Sequence, residues 1–478
     1  MKPTHIIRTM LAFAVLGLTA CGGGSSGGGG LLPSDSRNAL SSSSSTSSSS
    51  SSSSSISSSS ISSSNSFISS TSRSSSSSSS TSSSSSANED SLEDVRAWQP
   101  SAPNASALYD CALADTTSEL CTLEELPLLG MQTETPSVAD IMGRVLVSHD
   151  WMAERFEEVL LAYPEEILPL FRGLTAIVID DDIRPAFYSS NTGAIYLDPF
   201  YLWTNNAEKT TINPKEDYRA GFSDPLAFRD WGRYLHNGDY AFSYGSLDNT
   251  QARPIADVVL ISARLLLHEL AHVNDFLPYD SYSSLTTTGT VPQAIDSLAN
   301  GRVSDQLSQY SALTSSVLSG LGQVMYRGAT PSVAQTQLTA AEVGAEFEAD
   351  AAADSYAYSS QFEDLAMLFE IAIMKRFWDL DYQVVFVEPI GDAIYCDEYL
   401  IGWAGLNWLG DTDVKDRAMF VTNALLPDVD LTMFYQDLAA PTLSSTGDWC
   451  LPAPSAAMLA KPTAPQPVNP LHFQLHPH

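Results

Sequence analysis

Apolar positions with helical spacing dominate two stretches of the chain. Residues 255–273 follow Pro254, contain no glycine or further proline, and are apolar on nearly every side. Proline suits the first turn of a helix, and a helix that is apolar all round is expected to be buried. A second apolar stretch, Phe362 to Trp378, predicts another helix, which we interpret as part of the core rather than as a carrier of chemistry.

Shorter apolar stretches before residue 255 have the character of strands. Leu174 to Ile179, which is rich in β-branched residues, and Ala194 to Leu197 both read as strands and are separated by turn-prone sequence. The segment 204–253 predicts a long loop region with many aromatic residues, which either borders a cleft or forms a small satellite core. The pattern as a whole predicts an α+β fold that is mainly helical, with a small sheet before the long helix.

Three polar residues interrupt the first apolar helix. His268, Glu269 and His272 form the pattern H-E-x-x-H. Side chains four residues apart on a helix lie about 5–6 Å from each other, so the two imidazoles can share one metal ion. Glu269 is then free to act on a water molecule without being a ligand. The alternative is a chance spacing of hydrogen-bonded core residues.

A catalytic zinc ion needs three protein ligands, and the third is expected to be a carboxylate. No further histidine follows the motif at a suitable spacing. The stretch 339–354 opens with a capping box, is rich in alanine, and predicts a second helix. Glu346 and Asp350 are four residues apart on it. Glu346 is the expected ligand, and Asp350 is expected to accept a hydrogen bond from a ligand histidine.

The two motifs together resemble the signature of the gluzincin zinc metallopeptidases. The letters H-E-L-A-H-V at 268–273 and E-F-E-A-D at 346–350 are most similar to the HtpX and CAAX-prenyl-protease family. This resemblance implies a zincin-like fold, one zinc ion on His268, His272 and Glu346, Glu269 as the general base, and Asp350 as the outer partner of a histidine. It covers only the two helices. The chain also departs from that family at residues 274–278, where another histidine is often found.

Zincin peptidases have a small sheet before the H-E-x-x-H helix, and its edge strand binds an extended substrate by main-chain hydrogen bonds. We take Ala194 to Leu197 as the candidate edge strand. The alternative is that it is an ordinary strand within the sheet.

The first twenty residues have the pattern of a signal peptide, with a basic start and a short apolar stretch. They end in L-T-A before Cys21, which resembles a bacterial lipobox and implies cleavage before Cys21 and lipidation of its thiol. Gly22 favours the outer membrane over the inner one. The alternative is an ordinary secretory leader. Residues 21–86 are dominated by glycine and serine, with serine almost uninterrupted from residue 41 on, and they predict a flexible tether between a lipid anchor and the domain.

Residues 87–451 have the composition of a globular domain, which we predict to be a peptidase with two lobes around a zinc cleft, followed by a proline-rich tail at 452–478. The chain has 478 residues and a net charge of −33, from 23 basic and 56 acidic side chains. Nucleic-acid binding requires a basic surface, so this charge excludes a nucleic-acid partner.

Four cysteines remain besides Cys21, an even number that fits an oxidising compartment. Four cysteines allow three pairings. We expect the disulfides Cys111–Cys121 and Cys396–Cys450.

These features predict a zinc-dependent peptidase on a bacterial outer membrane lipoprotein, facing the periplasm or the cell surface and acting on peptide or protein substrates. The alternative is a non-catalytic, surface-tethered lipoprotein that binds a protein or glycan partner. Glu269 favours the enzyme, because a structural zinc site has no use for a base beside its ligand. The sequence does not identify the group that stabilises the oxyanion; Tyr356 and Tyr358 are candidates.

Overall fold

The computed structural model describes residues 92–450, apart from 244, 246, 248, 249 and 394. The predicted signal peptide (1–20), the lipidation site Cys21, the tether (21–86) and the proline-rich tail (452–478) lie outside the described residues. Across the described part of the chain, no helix is both long and apolar enough to span a membrane.

The described region contains helices and strands in a mixed order. The α-helices are α1 (Ala105–Ala112), α2 (Leu129–Gln132), α3 (Val138–Met142), α4 (Asp150–Leu161), α5 (Asn206–Lys209), α6 (Ile255–Phe276), α7 (Val291–Leu298), α8 (Val303–Tyr310), α9 (Ser316–Arg327), α10 (Ala340–Glu348), α11 (Gln361–Trp378), α12 (Thr412–Leu425) and α13 (Thr432–Asp437). The strands are β1 (Arg96–Ala97), β2 (Val145–Val147), β3 (Ile177–Ile179), β4 (Phe187–Ser189), β5 (Ala194–Leu197), β6 (Arg229–His236), β7 (Asp239–Tyr240), β8 (Asp381–Pro389), β9 (Tyr399–Leu406) and β10 (Thr442–Ser444). This mixture agrees with the predicted α+β class.

The first sheet precedes α6 in the chain, as predicted, and has the strand order β1-β2-β3-β5-β4. Strands β2, β3 and β5 are parallel, and every residue in them is buried, as expected for strands covered on both faces. Strand β5 pairs with β3 on one side and with β4 on the other. The expectation that Ala194–Leu197 is the edge strand was therefore wrong. The antiparallel strand β4 occupies that edge, because the chain turns back after residue 189 and inserts β5 inside it.

The second sheet is antiparallel and has the order β10-β9-β8-β6-β7. Strands β6 and β7 lie within 204–253, so the prediction of a continuous loop there was wrong for residues 229–240. Trp231 on β6 packs against Tyr399 and Trp449, with ring centroids 4.6 and 5.1 Å away. This group is one of the smaller apolar clusters, and it confirms the satellite-core alternative for Trp231.

The long helix α6 lies at the centre of the main core. It begins directly after Pro254 and ends at Phe276, two residues before Pro278, as its sequence predicts. It packs against α11, against the 3₁₀ segment Glu165–Gly173 and against β4. Because the core surrounds α6, the polar side chains of the motif are held in an apolar environment where each one needs a partner.

The second predicted helix, 339–354, forms only in its first half. Its capping box between Thr339 and Glu342 is present, but α10 ends at Glu348. The carbonyls of Ala351 and Ala352 accept hydrogen bonds from Arg417 Nη1 at 2.7 Å and Trp408 Nε1 at 2.9 Å. Tertiary hydrogen bonds thus replace the helical ones here and override the high helix propensity of alanine.

The two expected disulfides are confirmed. Cys111 at the end of α1 is bonded to Cys121, and Cys396 in the connection between β8 and β9 is bonded to Cys450. Each bond closes a short or medium loop at the periphery of a sheet and restricts the unfolded chain.

Two glycines in helices test the packing of α10 on the second sheet. A Cβ atom at Gly344 in α10 would lie 2.1 Å from the Cβ of Trp403 in β9, whereas one at Gly320 in α9 would meet only the flexible end of Gln335, at 3.1 Å. We expect Gly344→Ala to lower the free energy of unfolding by roughly 1–3 kcal/mol. Gly320→Ala should raise it by up to about 1 kcal/mol through helix propensity. Chemical denaturation measures both, and a stabilising Gly344→Ala would contradict the close contact.

Candidate metal centre

Three side chains meet where α6 and α11 pack together. His268 and His272 project from one face of α6, with their ring centroids 5.0 Å apart. The Oε2 atom of Glu363 on α11 lies 3.0 Å from Nε2 of His268 and 3.3 Å from Nε2 of His272. One nitrogen or oxygen from each residue lies within 4.8 Å of the other two, so the group could hold one metal ion.

The geometry of this group fits a tetrahedral metal site. Ligand atoms about 2.0–2.1 Å from a zinc ion are about 3.3 Å from each other, close to the distances from Glu363 to the two histidines. His268 is buried, whereas the side chains of His272 and Glu363 are 12% and 14% exposed. Solvent therefore reaches the group through His272 and Glu363, the side from which a fourth ligand would bind. Two imidazoles and a carboxylate suit zinc, and imidazole also suits other first-row metals.

Glu346 and Asp350 lie elsewhere, which corrects the predicted ligand set. The carboxylate of Glu346 accepts a hydrogen bond from Ser315 Oγ at 2.9 Å. Asp350 accepts hydrogen bonds from the backbone N–H groups of Thr314 and Ser315, both at 2.8 Å, and from the hydroxyl of Tyr358 at 3.1 Å.

Glu346 and Asp350 lie away from the two histidines because they interact with the start of α9. Ser315 is its N-cap residue, and a helix N-terminus attracts negative charge through its free N–H groups. Glu346 and Asp350 therefore anchor the start of α9, and the third ligand comes from α11 instead.

The sequence interpretation also has to be corrected for α11. The helix predicted at Phe362–Trp378 is confirmed with a start at Gln361, but it carries the candidate metal ligand Glu363 as well as core residues. One signal could have revealed this. Glu363 and Glu370 lie seven residues apart, which is two helical turns, so both face the same side of a largely apolar helix. Buried carboxylates in such a helix require cationic or hydrogen-bonding partners.

Glu370 is the outer partner of the histidine, the position predicted for Asp350. Its Oε2 atom lies 3.3 Å from Nδ1 of His268. Its Oε1 atom accepts hydrogen bonds from the hydroxyl of Tyr234 at 2.7 Å and from Nε of Arg264 at 3.0 Å. A carboxylate beside Nδ1 favours the tautomer with its proton on Nδ1, which directs the lone pair of Nε2 toward the metal position.

The charged groups of the site lower the pKa of Glu363 and raise the pKa of His268. Burial by itself would raise the pKa of Glu363, but the two histidines outweigh it and hold that pKa well below its usual range. Burial would likewise lower the pKa of His268, yet hydrogen bonding to Glu363 and Glu370 raises it to about 10. For Glu370, burial would raise the pKa, but Arg264, His268 and Tyr234 together outweigh it and lower the pKa. Both carboxylates are therefore ionised at neutral pH, and a metal ion would displace the proton that they stabilise on His268.

Glu269 lies beside the metal group and faces the edge of the first sheet. It is buried, and burial raises its pKa above the usual value although the neighbouring histidines oppose this. The backbone N–H of Tyr188 donates to its carboxylate. Tyr188 on β4 lies opposite Ile195 on β5. The N–H of Ile195 points away from β4, because it donates to the carbonyl of Ala176 just before β3. In an antiparallel pair of this kind, the N–H and C=O of Tyr188 also point away from β5. The open edge of β4 is thus directed at Glu269.

Of the two tyrosines considered for the oxyanion, only one is near the site. The ring of Tyr356 lies 6.1 Å from that of His268, centroid to centroid, and burial raises its pKa well above 10. Tyr358 donates its hydroxyl to Asp350 instead.

No family model, curated protein or solved structure matches this chain. The assignment of the metal centre therefore depends on the positions of its own side chains. The likeness to gluzincin peptidases stays a prediction from the sequence motif.

Two matched substitutions decide which glutamate binds the metal. Glu363→Gln removes one ligand charge, so we expect at least a 100-fold loss of zinc affinity, an order-of-magnitude estimate from the sensitivity of metal sites to their ligand sets. Glu346→Gln makes the same chemical change at the N-terminus of α9 and should leave the affinity within about threefold. Competition with a fluorescent chelator measures both. The reverse ranking would contradict the site described here.

Proposed function

We propose that this protein is a zinc-dependent peptidase that hydrolyses peptide bonds in the cell envelope or at the cell surface. The observation that carries the proposal is the combination of a three-residue metal group with a fourth acidic side chain, Glu269, beside it. A structural metal site needs only the ligands. A buried carboxyl group with a raised pKa beside such a site is the arrangement expected of a general base.

The roles of the residues follow from their positions. His268, His272 and Glu363 would hold the ion, and a bound zinc ion supplies Lewis-acid chemistry that polarises a peptide carbonyl and makes water more acidic. Glu269 takes a proton from the attacking water and delivers it to the leaving amine. Glu370 keeps the imidazole of His268 in one orientation and one tautomer.

Strand β4 is the proposed surface for the peptide. An edge strand offers its outward main-chain groups to an extended chain, which then adds to the sheet as a further strand. Next to Glu269 a peptide would use the carbonyl of Tyr188, because the N–H of that residue donates to Glu269. A peptide bound in this way would run past the metal group, with its carbonyl groups within reach of the ion.

The alternative is a non-catalytic binder with a structural metal. The low exposure of His272 and Glu363, 12% and 14%, is the feature that favours it. Glu269 favours the peptidase. We further propose, from the sequence alone, that a lipid on Cys21 and the glycine- and serine-rich tether hold the domain at the outer membrane.

The substitution Glu269→Gln tests the proposed reaction. It keeps the size of the side chain and all three ligands but removes the base, so we expect kcat on peptides to fall by about 10²–10⁴-fold while one zinc ion stays bound. Glu154→Gln, at an exposed position on α4, is the matched control and should behave as the unaltered protein.

Hydrolysis of casein and of a broad fluorogenic peptide library measures the activity. Stoichiometric zinc without hydrolysis by the unaltered protein would favour the binder. Full activity in Glu269→Gln would overturn the proposed mechanism.

A further inference from the structure

One buried arginine has no hydrogen-bond acceptor for the Nε of its guanidinium. Arg302, which precedes α8, is only 7% exposed, and its Nε atom is buried with no acceptor. Within the described ranges its side chain forms neither a hydrogen bond nor an ion pair. Other buried arginines use their guanidinium nitrogens: Arg264 and Arg417 pair with Glu370 and Asp364, and Arg144 and Arg253 donate to carbonyl oxygens. Arg302 differs from these four.

Two aromatic rings connect Arg302 to the metal group. Its Cζ atom lies 5.0 Å from the ring centroid of Phe276 and 5.8 Å from that of Phe362. Phe276 is four residues after His272 on the same face of α6, about 6 Å further along the helix axis. Phe362 directly precedes Glu363. Arg302 thus lies about one helical turn beyond the ligands.

The same group of rings reaches the open edge of the first sheet. The ring of Tyr188, on β4, stacks on that of Phe276 with centroids 6.1 Å apart, and Phe276 lies 5.2 Å from Phe362. An extended peptide on β4 would consequently pass from Glu269 toward these rings.

The energetics do not favour a purely structural role for Arg302. Burying the Nε donor without an acceptor is costly, and the two cation–π contacts offset that cost only in part. The chain carries 56 acidic residues, yet none of those described pairs with this arginine. A planar guanidinium with free donors binds a carboxylate through two parallel hydrogen bonds.

We propose that Arg302 binds a carboxylate group of the peptide substrate, within about two residues of the bond that is cleaved, given about 3.4 Å per extended residue. This proposal rests on the proposed peptidase function. The carboxylate belongs either to the C-terminus of the substrate or to an acidic side chain, and both present the same chemistry to the guanidinium. The phenylalanine rings hold the guanidinium plane in a fixed orientation for it.

The test uses three peptides of one sequence on the zinc-loaded protein. The first has a free C-terminal carboxylate, the second a C-terminal amide, and the third is the amide with Glu in place of Gln next to the cleaved bond. We expect kcat/KM for one of the two carboxylate peptides to exceed that of the neutral amide at least tenfold. A gain for the first peptide identifies a C-terminal carboxylate, and a gain for the third identifies an acidic side chain.

In Arg302→Met, whose side chain keeps the apolar packing, that preference should disappear while cleavage of the neutral amide stays within about threefold. Arg376→Met is the control, because Arg376 also lies over a phenylalanine but is exposed at the far end of α11. A preference that survives Arg302→Met, or that is absent from the unaltered protein, overturns the proposal. An equal loss for all three peptides, with a lowered unfolding midpoint, indicates a structural arginine and also overturns it.

Calorimetry separates this proposal from the peptidase proposal. The zinc-loaded Glu269→Gln protein, with and without Arg302→Met, is titrated with the same peptides. Tighter binding of a carboxylate peptide that depends on Arg302 supports the carboxylate site even if the unaltered protein cleaves nothing, in which case only the peptidase proposal fails. Equal binding of all peptides overturns the carboxylate site even where cleavage is observed.

Discussion

The ionic contacts between α6 and α11 are the interactions on which the rest of the site depends. Two apolar helices pack along each other, and the polar side chains on their facing surfaces have to satisfy one another because water is largely excluded. Glu363 meets both histidines, and Glu370 meets His268, Arg264 and Tyr234. Every one of these contacts requires the same register between the two helices. If α11 were shifted by one turn along α6, these buried charges would lose their partners. The ion pairs therefore help to hold the two helices in this register.

Each of the two sheets contacts this pair of helices, the first through β4 on α6 and the second through β8 on α11. The first sheet brings β4 against α6, so that an open strand edge and the carboxylate of Glu269 face each other. The second sheet reaches the network through Tyr234 on β6, whose hydroxyl donates to Glu370. The chemistry therefore lies on two rigid helices, and the surface proposed for the substrate lies on a strand. Sites built on regular elements hold their geometry more closely than sites on loops.

Much of this arrangement could be predicted from the order of residues. Local patterns were sufficient for α6, for the small sheet before it, for the pair His268 and His272, and for both disulfides. The third ligand was not predictable in the same way, because E-x-x-x-D at 346–350 and the acids of α11 are equally good carboxylates. What distinguishes them is which helix packs on α6, a long-range property. A local motif also cannot predict that Glu346 and Asp350 cap α9, because the residues they contact lie more than thirty positions earlier in the chain.

Pairing between strands that are distant in the sequence also explains why the predictions for β5 and β6 differ from the structure. Ala194–Leu197 and Phe187–Ser189 both have the character of strands, and only the order of pairing makes β4 the edge. Strand β6 was hidden in a segment of mixed aromatic and polar residues, because it gains its stability from β8 rather than from its own pattern.

The most direct test of this account is a crystal structure of the zinc-loaded protein with anomalous scattering measured at the zinc edge. The account predicts one strong peak between α6 and α11, about 2.0–2.2 Å from Nε2 of His268, from Nε2 of His272 and from a carboxylate oxygen of Glu363. A zinc ion bound by Glu346, or the absence of any ordered zinc near the two histidines, would contradict it.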